Sequence, residues 1–501
     1  MVLPKTFSTL LLSLAAQDSA ASIVPRDNSS AIRWGPCKLN TTLPVQCGKL
    51  QVPIDYSDNR TQALYLDLIK YPAQKQPKRG SIILNFGGPG QDGLKSMLSY
   101  AETMGPTTGG HHDLVSFDPR GTGNTFRFAC WPNDTTGTYD KLGTTLPGAG
   151  DTVVGKLWGE GQIISEQCHK QLKDIGDKVG MAATAHDMMS IVDALNEGGK
   201  LNYWGISGGT VLGATVAAMF PDRMERIVLD GVMNSHQYYN SFGEPEMVAA
   251  TDSVFEQFMR GCIAMPQNCA LGRNKTFEKL QSEMEQLFDT FRNNPPVVHD
   301  AFVLEYTPFV SLILNKMYGP AAWPYLADAL NDVLHGSLDK FVELMLQSSL
   351  PQEAQAILGI RCGDKYPRTD KLSDLTPTFE AYKKSSKYFW DWAWGYYVMP
   401  CAQWKFEAKE RYLGDFNVKT SSPVLFVGNT WDPVTPLVSA KNMSAGFEGS
   451  VLLTHNGHGH LSMAQPSNCT DGHIQNYFLE GKLPAPGTVC QPNLPVFSTA
   501  A

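Results

Sequence analysis

One serine of this chain has the surroundings that covalent chemistry requires. Ser207 stands in Gly205-Ile206-Ser207-Gly208-Gly209, which follows an apolar, β-branched run and opens a helical pattern. On a tight strand-to-helix turn, flanking glycines leave room for the backbone, and the hydroxyl projects at the carboxyl edge of a sheet. The N-terminus of the following helix favours developing negative charge. This pattern predicts a nucleophile for acyl transfer; the alternative is a glycine-rich turn with an incidental serine.

Acyl transfer also requires two N–H donors aimed at the tetrahedral oxyanion. We expect one from Gly208, directly after the nucleophile. We expect the other from Gly88, in the Gly87-Gly88-Pro89-Gly90 loop that follows the strand-like run 81–86. The alternative is an ordinary turn between a strand and a helix.

A serine hydroxyl requires a general base, and the base requires an orienting acid. Asp432 follows the strand-like run 423–428 and lies in a turn, which suits that acid; the alternative is a turn-forming Asp before Pro433. The candidate bases come later in the chain, and spacing does not choose among the first three: His455, His458, His460 and His473. A histidine cluster can also hold a metal, but no carboxylate or cysteine ligand pattern accompanies it, so we expect no metal and no cofactor.

Strands and helices that could position these residues alternate along the chain. Short apolar runs between turn signals predict strands at 49–54, 63–70, 81–86, 113–118, 201–206, 226–230, 423–428 and 450–454. Helical patterns separate several of them, most clearly over 182–198, where Gly198-Gly199 provides the stop. Such alternation predicts a mostly parallel sheet with helices on both faces.

The alternation is interrupted by a long helical stretch. Candidate helices lie at 247–261, 277–293, 307–317, 325–335 and 338–347, and the sheet pattern resumes only at Pro423. We interpret the stretch as a helical cap inserted between two strands; the alternative is an independent second domain. The predicted organisation is a signal peptide at 1–21, a core at 22–234, the cap at 235–401 and the rest of the core at 402–501.

The composition and charge of the chain limit the classes of partner that it can bind. The 501 residues are 42% apolar and 18% charged, with a net charge of −8 and no long charged run. A globular enzyme with a sizeable core fits these values, and a nucleic-acid partner does not. After Ala21 no segment reaches the 18 apolar residues that a membrane span needs, so we expect no membrane contact after signal cleavage. The sequence does not indicate an oligomeric state.

The N-terminus predicts export. Lys5 begins a short basic region, an apolar stretch from Phe7 to Ala16 follows, and Ser19-Ala20-Ala21 offers small residues for cleavage before Ser22. The alternative, a membrane anchor, is disfavoured because the apolar stretch is too short to span a bilayer.

Cysteines and sequons agree with export. None of the ten cysteines forms a C-x-x-C pair, and pairing nearest neighbours would give Cys37–Cys47, Cys130–Cys168, Cys262–Cys269, Cys362–Cys401 and Cys469–Cys490. Candidate glycosylation sites stand at Asn28, Asn40, Asn59, Asn133, Asn274 and Asn442. A seventh sequon, at Asn468, is doubtful because its middle residue is Cys469.

Together the separated motifs resemble one family, the tripeptidyl aminopeptidase-like group of α/β hydrolases, which are secreted relatives of the proline iminopeptidases. The resemblance runs from about Ile32 to Phe497. It rests on Trp34-Gly35-Pro36-Cys37, Cys47-Gly48-Lys49-Leu50-Gln51-Val52-Pro53-Ile54-Asp55-Tyr56, Gly87-Gly88-Pro89-Gly90, Asp118-Pro119-Arg120-Gly121-Thr122-Gly123, Tyr203-Trp204-Gly205-Ile206-Ser207, Asp432-Pro433-Val434-Thr435-Pro436, Gly459-His460 and Gly487-Thr488-Val489-Cys490.

The resemblance implies an α/β-hydrolase fold with a mostly parallel, eight-stranded sheet and an inserted helical cap. It places the catalytic histidine in a Gly-His pair, which His460 matches, with His458 as the fallback. It implies removal of short peptides or single residues from a free N-terminus. A carboxylate of the cap would then bind the substrate ammonium, and the candidates are Glu244, Glu246 and Asp364.

One residue departs from the family pattern. The family commonly has Tyr after the nucleophile, where this chain has Gly208. The missing ring changes the wall of the substrate pocket, so three functions stay open. They are an aminopeptidase acting on peptides, an esterase, thioesterase or lactonase acting on a small ester, and a non-catalytic secreted binding protein on a hydrolase scaffold. The aromatic stretch 388–397 could line an apolar site or form the core of the cap.

Overall fold

The computed structural model describes residues 24–25, 31–58, 62–123, 125, 127–132, 141–347 and 354–498. The predicted signal peptide at 1–21 and the sequons at Asn28, Asn59 and Asn133 lie outside the described residues. They stay predictions.

Among the described residues, eight strands of five or more residues form the central sheet. They are β1 Gln46–Pro53, β2 Gln62–Tyr71, β3 Ser81–Asn85, β4 Asp113–Phe117, β5 Leu201–Ile206, β6 Met224–Asp230, β7 Leu425–Trp431 and β8 Val451–His458. Their order is β8-β7-β6-β5-β3-β4-β2-β1, and two-residue strands at Gly35–Pro36, Val489–Cys490 and Val24–Pro25 add to this sheet. The six strands in the row β8-β7-β6-β5-β3-β4 all pair in parallel with their neighbours. Strand β2 is antiparallel to β4, and β1 is antiparallel to β2. The mostly parallel sheet of eight strands is confirmed, with three short additions.

Fifteen α-helices connect and cover the strands in the described part of the chain. The helices of the core are α1 Gly93–Thr107, α2 Val153–Gln171, α3 Met181–Leu195, α4 Gly208–Met219, α14 Leu437–Ala445 and α15 Asn468–Glu480. Those between β6 and β7 are α5 Ser235–Asn240, α6 Thr251–Ala264, α7 Phe277–Asn293, α8 Tyr306–Met317, α9 Trp323–Leu334, α10 Asp339–Gln347, α11 Ala354–Asp364, α12 Thr376–Ser385 and α13 Met399–Ala402. None of the described helices is long and apolar enough to cross a bilayer.

Neighbouring residues of each parallel strand face opposite sides of the sheet, and both sides are apolar. Ile83 belongs to the hydrophobic cluster under α3, α4 and α14. Ile82 and Leu84 belong to the cluster under α1 and α15. Because helices cover both faces of the sheet, we expect a substrate site at the carboxyl ends of its parallel strands, where open α/β sheets bind their ligands.

The long helical stretch lies between two strands that pair directly, since Leu425 of β7 is in register with Val228 of β6. Helices α6 to α10 contribute most of the residues of a separate hydrophobic cluster, which Leu146, Val434 and Phe497 join. Helix α11, by contrast, packs Leu358 and Ile360 into the cluster of the core. The boundaries at 235 and 401 therefore stay a prediction, while the insertion point between β6 and β7 is the one expected from the sequence.

The five nearest-neighbour cysteine pairs are all at disulfide distance, and no described cysteine is free. The side chains of Asn40, Asn274 and Asn442 are exposed. Their occupancy by glycans stays a prediction.

Candidate active site

Ser207 stands on the turn between β5 and α4 in a strained backbone conformation. Its φ is 53° and its ψ −125°, values that a non-glycine residue adopts only when its surroundings impose them. The N–H of Ser207 donates to the carbonyl of Asp230 at 3.0 Å. The flanking glycines of the motif are required: a Cβ at Gly205 would lie 2.4 Å from the carbonyl oxygen of Gly209, and one at Gly209 would lie 2.5 Å from that of Asn85.

The loop after β3 lies against this turn. A Cβ placed on Gly208 would stand 2.8 Å from the carbonyl carbon of Gly88 and 3.0 Å from its nitrogen. Within the described part of the chain, neither the N–H of Gly88 nor that of Gly208 donates a hydrogen bond. Two neighbouring free donors beside a nucleophile are what an oxyanion hole requires.

Asp432 follows β7 and is fully buried. Its carboxylate accepts the backbone N–H of Val434, Thr435 and Leu461 at 2.8–3.0 Å, and the hydroxyl of Thr435 at 2.7 Å. Burial alone would raise the pKa of this carboxyl, but His460 and the N–H donors hold it below its ordinary value. Asp432 is therefore kept as an anion.

His460 is the histidine beside that anion. Its Nδ1 lies 3.0 Å from Oδ2 of Asp432 and 3.1 Å from the hydroxyl of Thr435. With the Nδ1 proton shared with the carboxylate, Nε2 is left as the acceptor for a proton. Among the described residues no hydrogen bond joins His460 to the hydroxyl of Ser207, a bond that in many hydrolases tightens only with substrate present.

The other three histidines have different partners. The strand predicted at 450–454 would end before His455, but β8 continues to His458, so that His455 and His458 both lie within it. The Nδ1 of His455 bonds to Thr470, and burial lowers its pKa to about 4. The Nδ1 of His458 bonds to Gln465, and its ring stacks on Trp431. His473 lies beside the Cys469–Cys490 disulfide.

The three predicted ammonium-binding carboxylates all have donors from the protein. Buried Glu244 pairs with Arg361 and, at 2.5 Å, with Lys365. Glu246 accepts from Ser439 at 2.7 Å and from Asn234 and Asn442 at 3.1 and 2.9 Å. Asp364 accepts from the N–H of Met181 and from the hydroxyl of Tyr238 at 2.9 Å. Their role toward a substrate stays a prediction.

Two residues of this region were missed in the sequence. The carbonyl of Tyr318, between α8 and α9, accepts the N–H of His460 at 2.7 Å, and the two rings lie 5.2 Å apart. No sequence signal marks Tyr318. Asp230, at the end of β6, bonds to Ser462 of the same loop. Its position at the carboxyl end of a parallel strand is a signal that could have been used, since it also selects Asp432.

Comparisons with known proteins find hydrolases that are similar to this chain. The family model described as TAP-like protein matches residues 386–490. Serine protease Hip1 of Mycobacterium tuberculosis is 27% identical over 482 residues, covering 92% of this chain and 91% of that protein. Tripeptidyl aminopeptidase of Streptomyces lividans is 26% identical over 500 residues, covering 95% and 89%. Carboxylesterase B of M. tuberculosis is 24% identical over 511 residues, covering 95% and 92%.

Among solved structures, a hydrolase from Pseudomonas aeruginosa PA01 aligns with a TM-score of 0.36 and 12% identity, over 86% of this chain and 98% of that chain. The strand order, the turn at Ser207 and the named relatives lead to one assignment. The chain is an enzyme, a serine hydrolase of the α/β-hydrolase fold that is related along most of its length to the tripeptidyl aminopeptidases and to serine protease Hip1.

Proposed function

We propose that the chain is a secreted, exo-acting serine peptidase that releases short peptides or single residues from free N-termini. Ser207, His460 and Asp432 are the nucleophile, the base and the orienting acid. The observation that carries this proposal is the contact of 3.0 Å between His460 Nδ1 and the fully buried carboxylate of Asp432. Both residues lie at the sheet edge where the strained turn presents Ser207.

The proposed reaction proceeds in two halves. The hydroxyl oxygen of Ser207 attacks the substrate carbonyl carbon while Nε2 of His460 takes its proton, and the N–H groups of Gly88 and Gly208 stabilise the oxyanion. The tetrahedral intermediate collapses as His460 protonates the leaving amine, which leaves an acyl-enzyme. Water, deprotonated by His460, attacks the ester, and Ser207 recovers its proton when the acid product leaves.

Exo-action needs a limited entrance and a site for the substrate ammonium. The helical stretch between β6 and β7 would form a cap. It contacts His460 at Tyr318, whose carbonyl accepts the N–H of His460. Glu244, Glu246 and Asp364 are the proposed ammonium ligands, although each would have to share its carboxylate with the donors described above. The names of two relatives, tripeptidyl aminopeptidase and serine protease, support a peptide substrate.

An esterase, thioesterase or lactonase acting on a small metabolite is the second candidate. The relative named carboxylesterase B favours it, and so does Gly208, which leaves the nucleophile without the aromatic neighbour usual in the family. The aromatic stretch 388–397 adds little, because Phe389 and Trp394 are fully buried in the packing of the helical region.

Export and glycosylation belong to the same proposal. Five disulfide pairs and three exposed sequons suit the oxidising secretory pathway, and the predicted signal peptide would direct the chain there.

The test is a substrate panel on the purified full chain and its Ser207→Ala variant. The panel contains tripeptidyl and aminoacyl amides with free or acetylated N-termini, and simple aryl esters. We expect hydrolysis of the amides with free N-termini, its loss on acetylation, and no turnover of any substrate by Ser207→Ala. His458→Ala is the control and should keep its activity.

Two results would contradict the proposal. Full activity of Ser207→Ala would show that the assignment of the triad is wrong. Equal rates on free and blocked substrates, with esters preferred, would assign the esterase function instead.

A further inference from the structure

Asp230 contacts both halves of the active site. Its backbone carbonyl accepts the N–H of Ser207 at 3.0 Å, which fixes the nucleophile turn to the end of β6. Its carboxylate accepts the N–H of Ser462 at 3.1 Å and the hydroxyl of Ser462 at 2.6 Å. Ser462 stands two residues after His460. One residue therefore ties the nucleophile to the loop that carries the base.

In the loop from Gly459 to Ser462, each of the four backbone N–H groups donates a hydrogen bond, and each has a different acceptor. Gly459 donates to the carbonyl of Trp431 at 3.0 Å, and His460 donates to that of Tyr318 at 2.7 Å. The N–H of Leu461 then donates to Asp432 at 3.0 Å, and that of Ser462 donates to Asp230 at 3.1 Å. Two buried carboxylates thus hold consecutive peptide groups directly after the base.

The backbone between those two bonds is strained. Leu461 has a φ of 76° and a ψ of 161°, a conformation that residues other than glycine rarely adopt and that costs on the order of 1–3 kcal/mol. Such a conformation persists only where surrounding bonds impose it. Without the bonds to Asp230, the chain after His460 could relax toward ordinary backbone values and turn the imidazole away.

The residue after Asp230 lies against the same loop. A Cβ on Gly231 would meet the side chain of Leu461 at 2.4 Å and Cε1 of His460 at 3.6 Å. The end of β6 therefore packs beside the imidazole of His460, and a shift of Asp230 would displace that ring.

Burying a carboxylate is costly, and Asp230 is fully buried with Ser462 as its donor. Burial raises its pKa to about 6, the bonds from Ser462 oppose this, and the titratable groups whose charges act on it are Asp432, after β7, and His460, after β8. Above that pH the anion adds negative charge beside the imidazolium that forms during the reaction.

We propose that Asp230 is a positioning residue of the active site, which sets the placement of His460 relative to Ser207 through the Ser462 peptide group. This inference rests on the proposed triad. It predicts a change in turnover and in its pH dependence, not in the affinity for substrate.

The test compares Asp230→Asn with wild type in kcat, KM and pH profile on a tripeptidyl amide with a free N-terminus and on an aryl ester. Asparagine keeps the size and one acceptor but removes the charge. We expect kcat to fall by about 10- to 100-fold with KM nearly unchanged, because a small misplacement of a catalytic group is enough for that loss. The acid limb of the kcat/KM profile should move to lower pH, since a buried negative charge near the protonated base is gone.

Asp391→Asn is the matched control. Asp391 is also fully buried, accepts from the N–H of Gly148 at 2.9 Å, and has its pKa raised by burial to about 6, but it lies in the helical region between β6 and β7. This variant should keep the acid limb of the wild type. If Asp230→Asn fails to fold, Ser462→Ala replaces it, with kcat expected to fall by about tenfold.

Wild-type kcat in Asp230→Asn, or a lower kcat with an unmoved acid limb, would overturn the inference. So would wild-type kcat in Ser462→Ala. Ser207→Ala separates this failure from that of the triad: if Ser207→Ala is inactive while the Asp230 variant is normal, only the role of Asp230 is wrong.

Discussion

At the residue scale, Gly208 shows how one missing side chain changes its surroundings. The family commonly has Tyr at this position, yet a Cβ here would stand 2.8 Å from backbone atoms of Gly88 and Pro89. Real contacts between a Cβ and backbone atoms are not this short. The glycine and the close approach of the loop therefore depend on each other, and the departure concerns the proposed oxyanion hole as well as the proposed pocket wall.

Replacing Gly208 by alanine should displace the Gly88–Pro89 backbone and separate the two N–H donors. We expect kcat to fall by about 100- to 1000-fold, the loss typical of one oxyanion donor. Steady-state kinetics with an ester and an amide substrate would measure it, alongside thermal unfolding to verify the fold.

Gly155→Ala is the control for that variant. Gly155 lies in α2, where a Cβ would meet nothing within 4 Å. It should leave kcat unchanged and raise stability slightly, since alanine favours a helix by about 1 kcal/mol over glycine. If Gly208→Ala turned over substrate as fast as Gly155→Ala, the close approach of the loop would have no catalytic role.

Local motifs in the sequence indicate part of the candidate site. Ser207 and Asp432 each follow a strand in a turn, so a rule about strand ends finds them. The proposed base could not be chosen in this way, because three histidines lie within six residues and their spacing does not distinguish them. Only the family resemblance selected His460. The three histidines differ in their contacts: β8 continues through His455 and His458, whose Nδ1 atoms bond to Thr470 and Gln465, whereas His460 lies beside Asp432.

At the element scale, the eight predicted strands are all present, with ends shifted by at most four residues. The strongly periodic helices were also found, α7 with the predicted limits of Phe277–Asn293. Helix α11 was missed because it contains Gly359 and Gly363, which disfavour a helix in isolation. Its glycine is needed for packing: a Cβ on Gly359 would lie 2.7 Å from the ring of Phe128.

The contact between the segment 318–320 and the histidine loop is a second element-scale feature. Gly459 has a φ of 92°, and a Cβ there would lie 2.7 Å from the carbonyl oxygen of Tyr318 and 2.9 Å from Pro320. That carbonyl accepts the N–H of His460. Only glycine lets the segment approach the base this closely.

Gly459→Ala should push the segment away and remove the hydrogen bond to His460. We expect kcat/KM to fall by about 10- to 100-fold, as misplacement of the base would cause. Gly319→Ala is the matched control, because Gly319 belongs to the same segment and a Cβ there meets nothing within 4 Å. Equal kinetics of the two variants would show that this approach does not position the base.

At the scale of the whole molecule, buried carboxyl groups link stability to pH. Asp364, at the end of α11, is fully buried between the N–H of Met181 and the hydroxyl of Tyr238. Burial raises its pKa from 3.8 to about 7, and these two donors oppose the rise. Between those values the native protein holds a proton that the unfolded chain has lost. The contribution of this group to stability therefore falls as pH rises from about 4 to about 7.

Asp364→Asn removes that dependence because asparagine does not ionise. Relative to wild type, the free energy of unfolding of the variant should increase by on the order of a few kcal/mol between about pH 4 and about pH 8. Urea unfolding at about pH 4, about pH 6 and about pH 8 would measure it, with exposed Asp151→Asn as the control. The unpaired amide of asparagine lowers stability equally at each pH, so the slope is the informative quantity. A difference between wild type and Asp364→Asn that does not change with pH would mean that Asp364 titrates normally in the folded protein.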